Sequence, residues 1–197
     1  MAQVLKLALG ILAIQSPGQP VAPATAVSWA MAAAVHAERK DVDPFELIGI
    51  ARNETDFRPD TVGPDGKDCG LTQTRTTYSK YRCKQLRRDP WIAFEEAARE
   101  IKENQVRCLK RAPHDLARCR VNGYNQGVRY AKRGRPGGYW LRVKCFADAA
   151  RAGVTPSGDC RAVTSKKQIA KLIRQSQPYT PAARLALPTA LPTTFVR

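Results

Sequence analysis

The sequence predicts a mainly α-helical domain with Pro-rich extensions at its N-terminal and C-terminal ends. Apolar residues recur at the i, i+3, i+4, i+7 spacing that marks one face of a helix, and several of these stripes follow a strong helix-start signal. No stretch shows the long apolar–polar alternation of a strand. A chain of 197 residues can bury one sizeable core, so we expect one main domain with tails.

The first 27 residues form a predicted N-terminal segment. An apolar octet runs from Leu7 to Ile14, which is too short to span a membrane, and the Pro-rich stretch 15–26 is typical of a linker. The octet and the small residues Ala24-Thr25-Ala26 are typical of a secretory signal, but Lys6 interrupts the apolar run. We therefore expect either a signal or a docking segment.

Six helices are predicted beyond this segment, five in a main domain at 28–153 and one in a tail at 154–197. Two begin with an Asp cap followed by Pro, at Asp43-Pro44 and Asp89-Pro90. The others are expected at about Ser28–Arg39, Asp115–Tyr124, Tyr139–Ala150 (closed by Gly153) and, as a basic amphipathic helix, Ser165–Ser176. Pro178, Pro181, Pro188 and Pro192 then mark a flexible tail.

The chain is strongly basic, with 33 Lys and Arg against 17 Asp and Glu and a formal net charge of +16. Most of the excess lies between Arg75 and Lys144, where 19 basic residues stand against 6 acidic ones. Such a surface attracts a polyanion, which can be nucleic acid, an acidic membrane or an anionic cell-wall polymer. A cationic face that only keeps the protein soluble is the alternative.

Six cysteines stand at positions 69, 83, 108, 119, 145 and 160. The even count favours disulfides in an oxidising compartment, buried free thiols are the alternative, and the spacing does not decide the pairing. No C-x-x-C pair occurs, and His36 and His114 are the only histidines. We therefore predict no metal site.

One acid, Glu54, closes an otherwise apolar helical stripe. The helix that starts at Pro44 places Leu47, Ile50 and Ala51 on its inner face, and Glu54 falls on the same face at i+7. A partly desolvated carboxyl has a raised pKa, which suits a general acid near neutral pH. An ordinary helix-terminal Glu paired with a nearby Arg is the alternative.

Four motifs in order indicate more. They are Asp43-Pro44, Glu54-Thr55-Asp56-Phe57, Gly70-Leu71-Thr72-Gln73 and Tyr124-Asn125-Gln126-Gly127. This arrangement, over about residues 28–150, resembles the lytic transglycosylase domain of the soluble-lytic-transglycosylase (SLT) type, which has a goose-lysozyme-like fold. The resemblance implies cleavage of the β-1,4 bond between N-acetylmuramic acid and N-acetylglucosamine in peptidoglycan.

The resemblance also implies roles for individual residues. Glu54 matches the catalytic acid, Gln73 the glutamine that lines the sugar groove, and Tyr124 with Asn125 the pair beside the acid. Thr55 stands where the family usually has Ser and keeps a hydroxyl, so we count it among the substrate-binding residues. Two departures are Thr72, which replaces a Met, and Cys69, which stands where a small residue is usual.

A transglycosylase needs only one carboxyl group. Glu54 would protonate the glycosidic oxygen and then accept the proton of the muramic 6-hydroxyl, which attacks the anomeric carbon and gives 1,6-anhydromuropeptides. No cofactor or metal is required. The alternative is a hydrolytic muramidase, which needs a second carboxylate, with Asp56, Asp60, Asp65 or Asp68 as candidates. Asp56 is the weakest of these, because it lies about 200° from Glu54 round an ideal helix.

Partners and location follow from the same resemblance. The expected partner is the peptidoglycan glycan strand, and the expected site of action is the periplasm or cell wall. The terminal extensions suit docking on phage tail or secretion-complex proteins, so both a virion component and an exported enzyme are open. A basic nucleic-acid-binding module or a structural virion component is the alternative of another class. Its stacking residues would be Tyr78, Tyr81, Tyr130, Tyr139 and Trp140.

Overall fold

The structure is a computed structural model that describes residues 1–127 and 138–180. This part of the chain contains eight α-helices, which confirms the mainly α prediction. They are α1 (Ala2–Ile14), α2 (Pro23–Lys40), α3 (Pro44–Thr55), α4 (Cys83–Arg88), α5 (Pro90–Leu109), α6 (Leu116–Gln126), α7 (Tyr139–Ala152) and α8 (Lys166–Gln175).

The β structure of the described residues consists of two short antiparallel pairs and two isolated bridges, Ser16 with Gln19 and Val62 with Cys69. β1 (Asp68–Cys69) pairs with β2 (Thr74–Arg75), and β3 (Val154–Thr155) pairs with β4 (Gln177–Pro178). The first pair forms a hairpin, which we call the site hairpin, around the Gly70-Leu71-Thr72-Gln73 motif. The expectation of no long strand agrees with these four two-residue strands.

Helix starts with an Asp cap lie where the sequence places them. The Asp43 carboxylate accepts a hydrogen bond from the Phe45 N–H at 3.0 Å, and the Asp89 carboxylate does the same for Trp91 at 2.9 Å. Each cap satisfies a backbone donor that has no partner inside the helix. These caps fix the starts of α3 and α5, the two helices that carry acids of the site described below.

The predicted linker is shorter than the sequence indicated. α2 begins at Pro23, not at Ser28, and Ser28 lies exposed within the helix. Proline is favoured at the first helical position, because its missing N–H would lack a partner there and its φ already suits a helix. Pro23 is therefore a helix start, and the connection between α1 and α2 covers only residues 15–22.

The N-terminal octet belongs to the main core. Leu7, Ile11 and Ile14 are buried, and α1 packs against both α2 and α7. No helix in residues 1–127 or 138–180 has the length and apolar character needed to cross a membrane. The interpretation of residues 1–27 as a signal or docking segment stays a prediction.

The closest helix packing brings α3 against α7. Gly49 faces α7 so closely that a Cβ atom at this position would lie 2.6 Å from the Val143 carbonyl oxygen. Only glycine allows such an approach. The contact fixes the direction of α3 and so positions Glu54 near its C-terminal end.

The cysteines form three disulfides, which decides between the two alternatives left open by the sequence. The bonds join Cys69 to Cys83, Cys108 to Cys119, and Cys145 to Cys160, and each pairs neighbours in the sequence order. The described residues contain no free cysteine. Disulfides of this kind are typical of an oxidising compartment.

The C-terminal segment is attached to the main core as far as it is described. The Cys145–Cys160 disulfide ties it to α7, and Val163 and Ile169 are buried in the core. Ser165 caps α8 as expected, through a capping box with Gln168. The predicted tail prolines Pro181, Pro188 and Pro192 lie outside the described residues.

Candidate active site

Glu54 lies one residue before the end of α3, at the place the helical stripe predicts. Leu47, Ile50 and Ala51 are fully buried on the inner face of α3, and the Glu54 side chain is half-buried on the same face. The inner face of α3 therefore ends in a carboxyl group at the protein surface. Its environment is apolar on the helix side and open on the other.

The pKa of Glu54 is raised above its ordinary value. Burial is the main cause, and the negative charge of Asp68 acts in the same direction. The Tyr139 hydroxyl and the Arg142 charge oppose it. The Tyr139 hydroxyl is buried near the Glu54 carboxyl and has no hydrogen-bond partner of ordinary geometry among the described groups. A larger fraction of Glu54 is therefore protonated near neutral pH.

Two adjoining depressions share Glu54. The main cleft has a volume of about 1040 Å³ and runs between the site hairpin, α5 and α6. The side pocket, of about 370 Å³, lies towards α7. A site of this combined size exceeds that of an ordinary small-molecule pocket and suits a segment of a polymer. The side pocket is lined by Asn53, Glu54, Asn125, Tyr139, Arg142 and Arg161.

The site hairpin is held against α4 by two features. Gly70 has a φ of +78°, and a Cβ atom there would lie 2.4 Å from the Leu86 carbonyl oxygen in α4. The Cys69–Cys83 disulfide joins the hairpin to the first residue of α4. The unusual residue Cys69 is thus explained, because it fixes α4 behind the hairpin.

Thr55 connects α3 to the same hairpin from inside the protein. Its side chain is buried, with 1% of its surface exposed. The hydroxyl donates to the Leu71 carbonyl at 2.8 Å and contacts the Ala51 carbonyl at 3.1 Å. The structure does not place Thr55 in the cleft. Its predicted contact with substrate is therefore replaced by a positioning role next to Glu54.

Gln73 lines the main cleft at the end of the hairpin. Its backbone has a left-handed φ of +50°. The side-chain nitrogen donates to the Thr61 carbonyl at 3.2 Å and to the Gly70 carbonyl at 3.1 Å. Because these bonds hold the side-chain amide nitrogen in place, the side-chain oxygen of Gln73 is the atom left to bind a ligand.

Tyr124 and Asn125 lie near the C-terminal end of α6 and line the main cleft beside Glu54. The Tyr124 hydroxyl donates to the Thr72 carbonyl at 2.8 Å, which ties α6 to the site hairpin. Asn125 is exposed and lines both the main cleft and the side pocket. The structure thus brings Glu54, Gln73, Tyr124 and Asn125 together, although 71 positions of sequence separate the first from the last.

The four aspartates considered for hydrolysis are placed differently. Asp56 pairs with Arg52 and Arg161, and it lines neither depression. Asp60 is exposed and also outside the cleft lining, while Asp65 pairs with Arg75 at 2.9 Å. Asp68 does line the main cleft, where it pairs with Arg75 at 3.1 Å.

Sequence reasoning missed three residues of the site. Glu100 of α5 lines the main cleft, and Tyr139 and Arg142 of α7 line the side pocket. No local pattern marks them, because they reach the site only through the packing of α5 and α7. The one available signal was in α5, where Glu100 directly precedes Ile101, a buried residue of the apolar helical face.

Two of the described aromatic residues of the nucleic-acid hypothesis, Tyr81 and Tyr139, are not available as stacking platforms. Tyr139 is 2% exposed, and the Tyr81 hydroxyl is engaged with Glu95 at 2.8 Å. Tyr78 is exposed and lines the main cleft, while Tyr130 lies outside the described residues. A buried ring cannot stack on a base, so the predicted row of platforms is broken.

A half-buried acid in a large cleft of a helical domain is typical of a protein that acts on a glycan polymer. The family model described as the transglycosylase SLT domain matches residues 31–136, so the chain belongs to this family. The fold is accordingly lysozyme-like, and members of the family are peptidoglycan lytic transglycosylases. Searches among curated proteins and among solved structures found no significant match.

Proposed function

We propose that this lytic transglycosylase cleaves the β-1,4 bond between N-acetylmuramic acid and N-acetylglucosamine with Glu54 as its single acid and base. The observation that carries the proposal is the position of Glu54, which lies where the main cleft and the side pocket meet and has a raised pKa. A glycan strand that runs through both depressions passes the Glu54 carboxyl. Glycosidic oxygens need a proton donor at this point, because the leaving sugar departs as an alcohol.

Glu54 then acts twice. In its protonated form it donates to the glycosidic oxygen, and the resulting carboxylate accepts the proton of the muramic 6-hydroxyl. That hydroxyl attacks the anomeric carbon, so the products end in a 1,6-anhydro ring and no water enters the bond. The raised pKa of Glu54 supports the first step, since it keeps the acid form populated near neutral pH.

The neighbouring groups support this order of events. Arg142 faces the same carboxyl and lowers its pKa, so it stabilises the carboxylate that forms after proton donation. Asp68 is paired with Arg75, and Asp56 with two arginines, so neither is placed as an unengaged base for water. This distribution favours the transglycosylase route over the hydrolytic muramidase.

We assign sugar binding to Gln73 and Asn125, with Tyr124 as a wall of the cleft. The side-chain carbonyl oxygen of Gln73 offers a hydrogen-bond acceptor to the hydroxyl and acetamido groups of a sugar. The exposed side-chain amide of Asn125 offers them both a donor and an acceptor. Tyr124 offers mainly its ring, because its hydroxyl is bonded to the Thr72 carbonyl. Thr55 serves the site by holding α3 against the hairpin.

The basic surface suits the cell-wall substrate. The main cleft holds four arginines and four carboxyl groups, so the excess of positive charge lies outside its lining, and peptidoglycan stem peptides carry carboxylates. Opposite charges of this kind concentrate the substrate near the cleft and weaken with added salt. We propose action in the periplasm or cell wall, for a phage virion or a secretion machine that must open the wall locally.

A Glu54→Gln variant tests the assignment. Gln keeps the size of the side chain but cannot donate and then recover a proton, so release of soluble muropeptides from purified peptidoglycan should stop. Glu38→Gln is the matched control, because Glu38 is exposed on α2 and lines neither depression. A Glu54→Gln protein that releases muropeptides at nearly the wild-type rate would refute the site.

A further inference from the structure

Glu100 is a second carboxyl group in the main cleft, and the catalytic scheme does not use it. It projects from α5 and is half-buried. Across residues 1–127 and 138–180, no hydrogen bond or ion pair engages its carboxyl oxygens. Because Glu100 is only half-buried and lines the main cleft, a ligand bound there can reach its carboxyl group.

The ionisable groups around Glu100 come from four elements. Glu96, Arg99 and Glu103 share α5 with it, Asp68 faces it from the site hairpin, Tyr124 from α6 and Tyr139 from α7. The one cation of this group, Arg99, is bonded to Glu96 at 3.0 Å and to Glu103 at 2.6 Å. Among the described residues, the cation that acts on Glu100 is therefore already shared between two other carboxylates.

The uncharged form of Glu100 is stabilised by this setting. Burial raises the pKa of Glu100 to about 7, with Glu103, Glu96 and Asp68 acting in the same direction and Arg99 against it. A protonated carboxyl is a hydrogen-bond donor, whereas the carboxylate only accepts. The glycan presents acetamido carbonyl and hydroxyl oxygens, which are acceptors.

We propose that Glu100 binds the glycan strand in the main cleft by donating a hydrogen bond from its uncharged carboxyl to an oxygen of a bound sugar. The inference rests on the proposed function and adds a specificity-determining residue to it. Glycan affinity then falls as Glu100 ionises, because the carboxylate loses its donor and adds a negative charge beside Asp68. Gln at this position keeps an N–H donor at every pH.

The test measures glycan binding in the Glu54→Gln background, where Glu54 no longer titrates and the ligand is not consumed. The probe is a soluble glycan strand prepared from peptidoglycan with its stem peptides removed. If only the protonated form of Glu100 binds and its pKa is about 7, the protonated fraction falls about tenfold between pH 6 and pH 8. The dissociation constant of the glycan should therefore rise about tenfold over this range. Glu54→Gln/Glu100→Gln should bind with the same affinity at both pH values.

Two further variants complete the design. Glu54→Gln/Glu100→Leu removes the donor, so it should bind roughly fivefold more weakly at pH 6 and lose the dependence on pH. Glu54→Gln/Glu38→Gln is the control and should keep the tenfold change expected for its parent. Thermal unfolding confirms that each variant is folded.

Three results would overturn the inference while leaving the proposed function intact. The first two are binding by the Glu54→Gln parent that strengthens from pH 6 to pH 8, or that does not change with pH. The third is a Glu54→Gln/Glu100→Gln variant that loses as much affinity as its parent between pH 6 and pH 8. Absence of glycan binding by every variant, together with no muropeptide release by the wild type, would instead refute the proposed function and this inference with it.

Discussion

Replacing Glu100 with Gln should stabilise the protein at alkaline pH. The pKa of Glu100 rises from 4.5 to about 7 on folding, so the folded state binds a proton that the unfolded state releases. The free energy of unfolding therefore falls as the pH rises from about 4.5 to about 7 and stays lower above it. Gln has no proton to lose, so the variant escapes this penalty.

The size of the effect follows from the same pKa. A rise from 4.5 to about 7 corresponds to about 3 kcal/mol, at about 1.4 kcal/mol for each tenfold change in proton affinity. Because the side chain is half-buried rather than enclosed, solvent screening reduces this figure, and we expect a gain of about 1–3 kcal/mol at pH 8. The gain should be smallest near pH 4.5, where both proteins carry a neutral group.

Urea denaturation of wild type and variant at pH 4.5, 6, 7 and 8 measures the difference directly. Other groups that titrate, such as Glu54, contribute equally to both proteins and cancel. Glu38→Gln, which removes an exposed carboxyl outside both depressions, is the matched control. A constant difference for Glu100→Gln across this range would show that Glu100 titrates like an exposed acid, and the reasoning about the cleft would be wrong.

Three other predictions concern the site and the surface. Tyr139→Phe removes a hydroxyl that lowers the pKa of Glu54, so the alkaline limb of the kcat/KM profile should move to higher pH; an unchanged limb would contradict the contact. Replacing both Cys69 and Cys83 with Ala opens a loop with a sequence separation of 14, which should cost about 3 kcal/mol in urea denaturation. Binding to purified walls should weaken steeply between low and moderate salt, and affinity that does not change with salt would mean that charge is not the anchor.

Local signals predicted the helical frame well. The Asp caps before Pro44 and Pro90 act within a few residues, and the structure confirms both helix starts. The inner stripe of α3 is equally local, which is why the burial of Glu54 could be predicted from its position at i+7. Pro23 shows the limit of the approach, because proline both interrupts helices and is favoured at their first position. The Pro-rich composition alone favoured a linker.

The rest of the site depends on contacts between distant parts of the chain. Glu100 reaches the cleft only because α5 packs against α6, and Tyr139 reaches it because α7 packs against α3; no motif marks either residue. Thr55 shows the same limit in the opposite direction. Its hydroxyl was expected at the substrate, but it contacts the Leu71 carbonyl of the hairpin and the Ala51 carbonyl of its own helix. The disulfide pairing likewise became definite only with the fold.

The mass of the released muropeptides tests the central claim most directly. Purified peptidoglycan is incubated with the wild-type protein, the soluble products are analysed by mass spectrometry, and the Glu54→Gln protein provides the blank. If Glu54 works as a single acid and base, the main products are non-reducing 1,6-anhydromuropeptides. Products with reducing ends, each heavier by one water molecule, would show that water attacks the bond and would contradict the account.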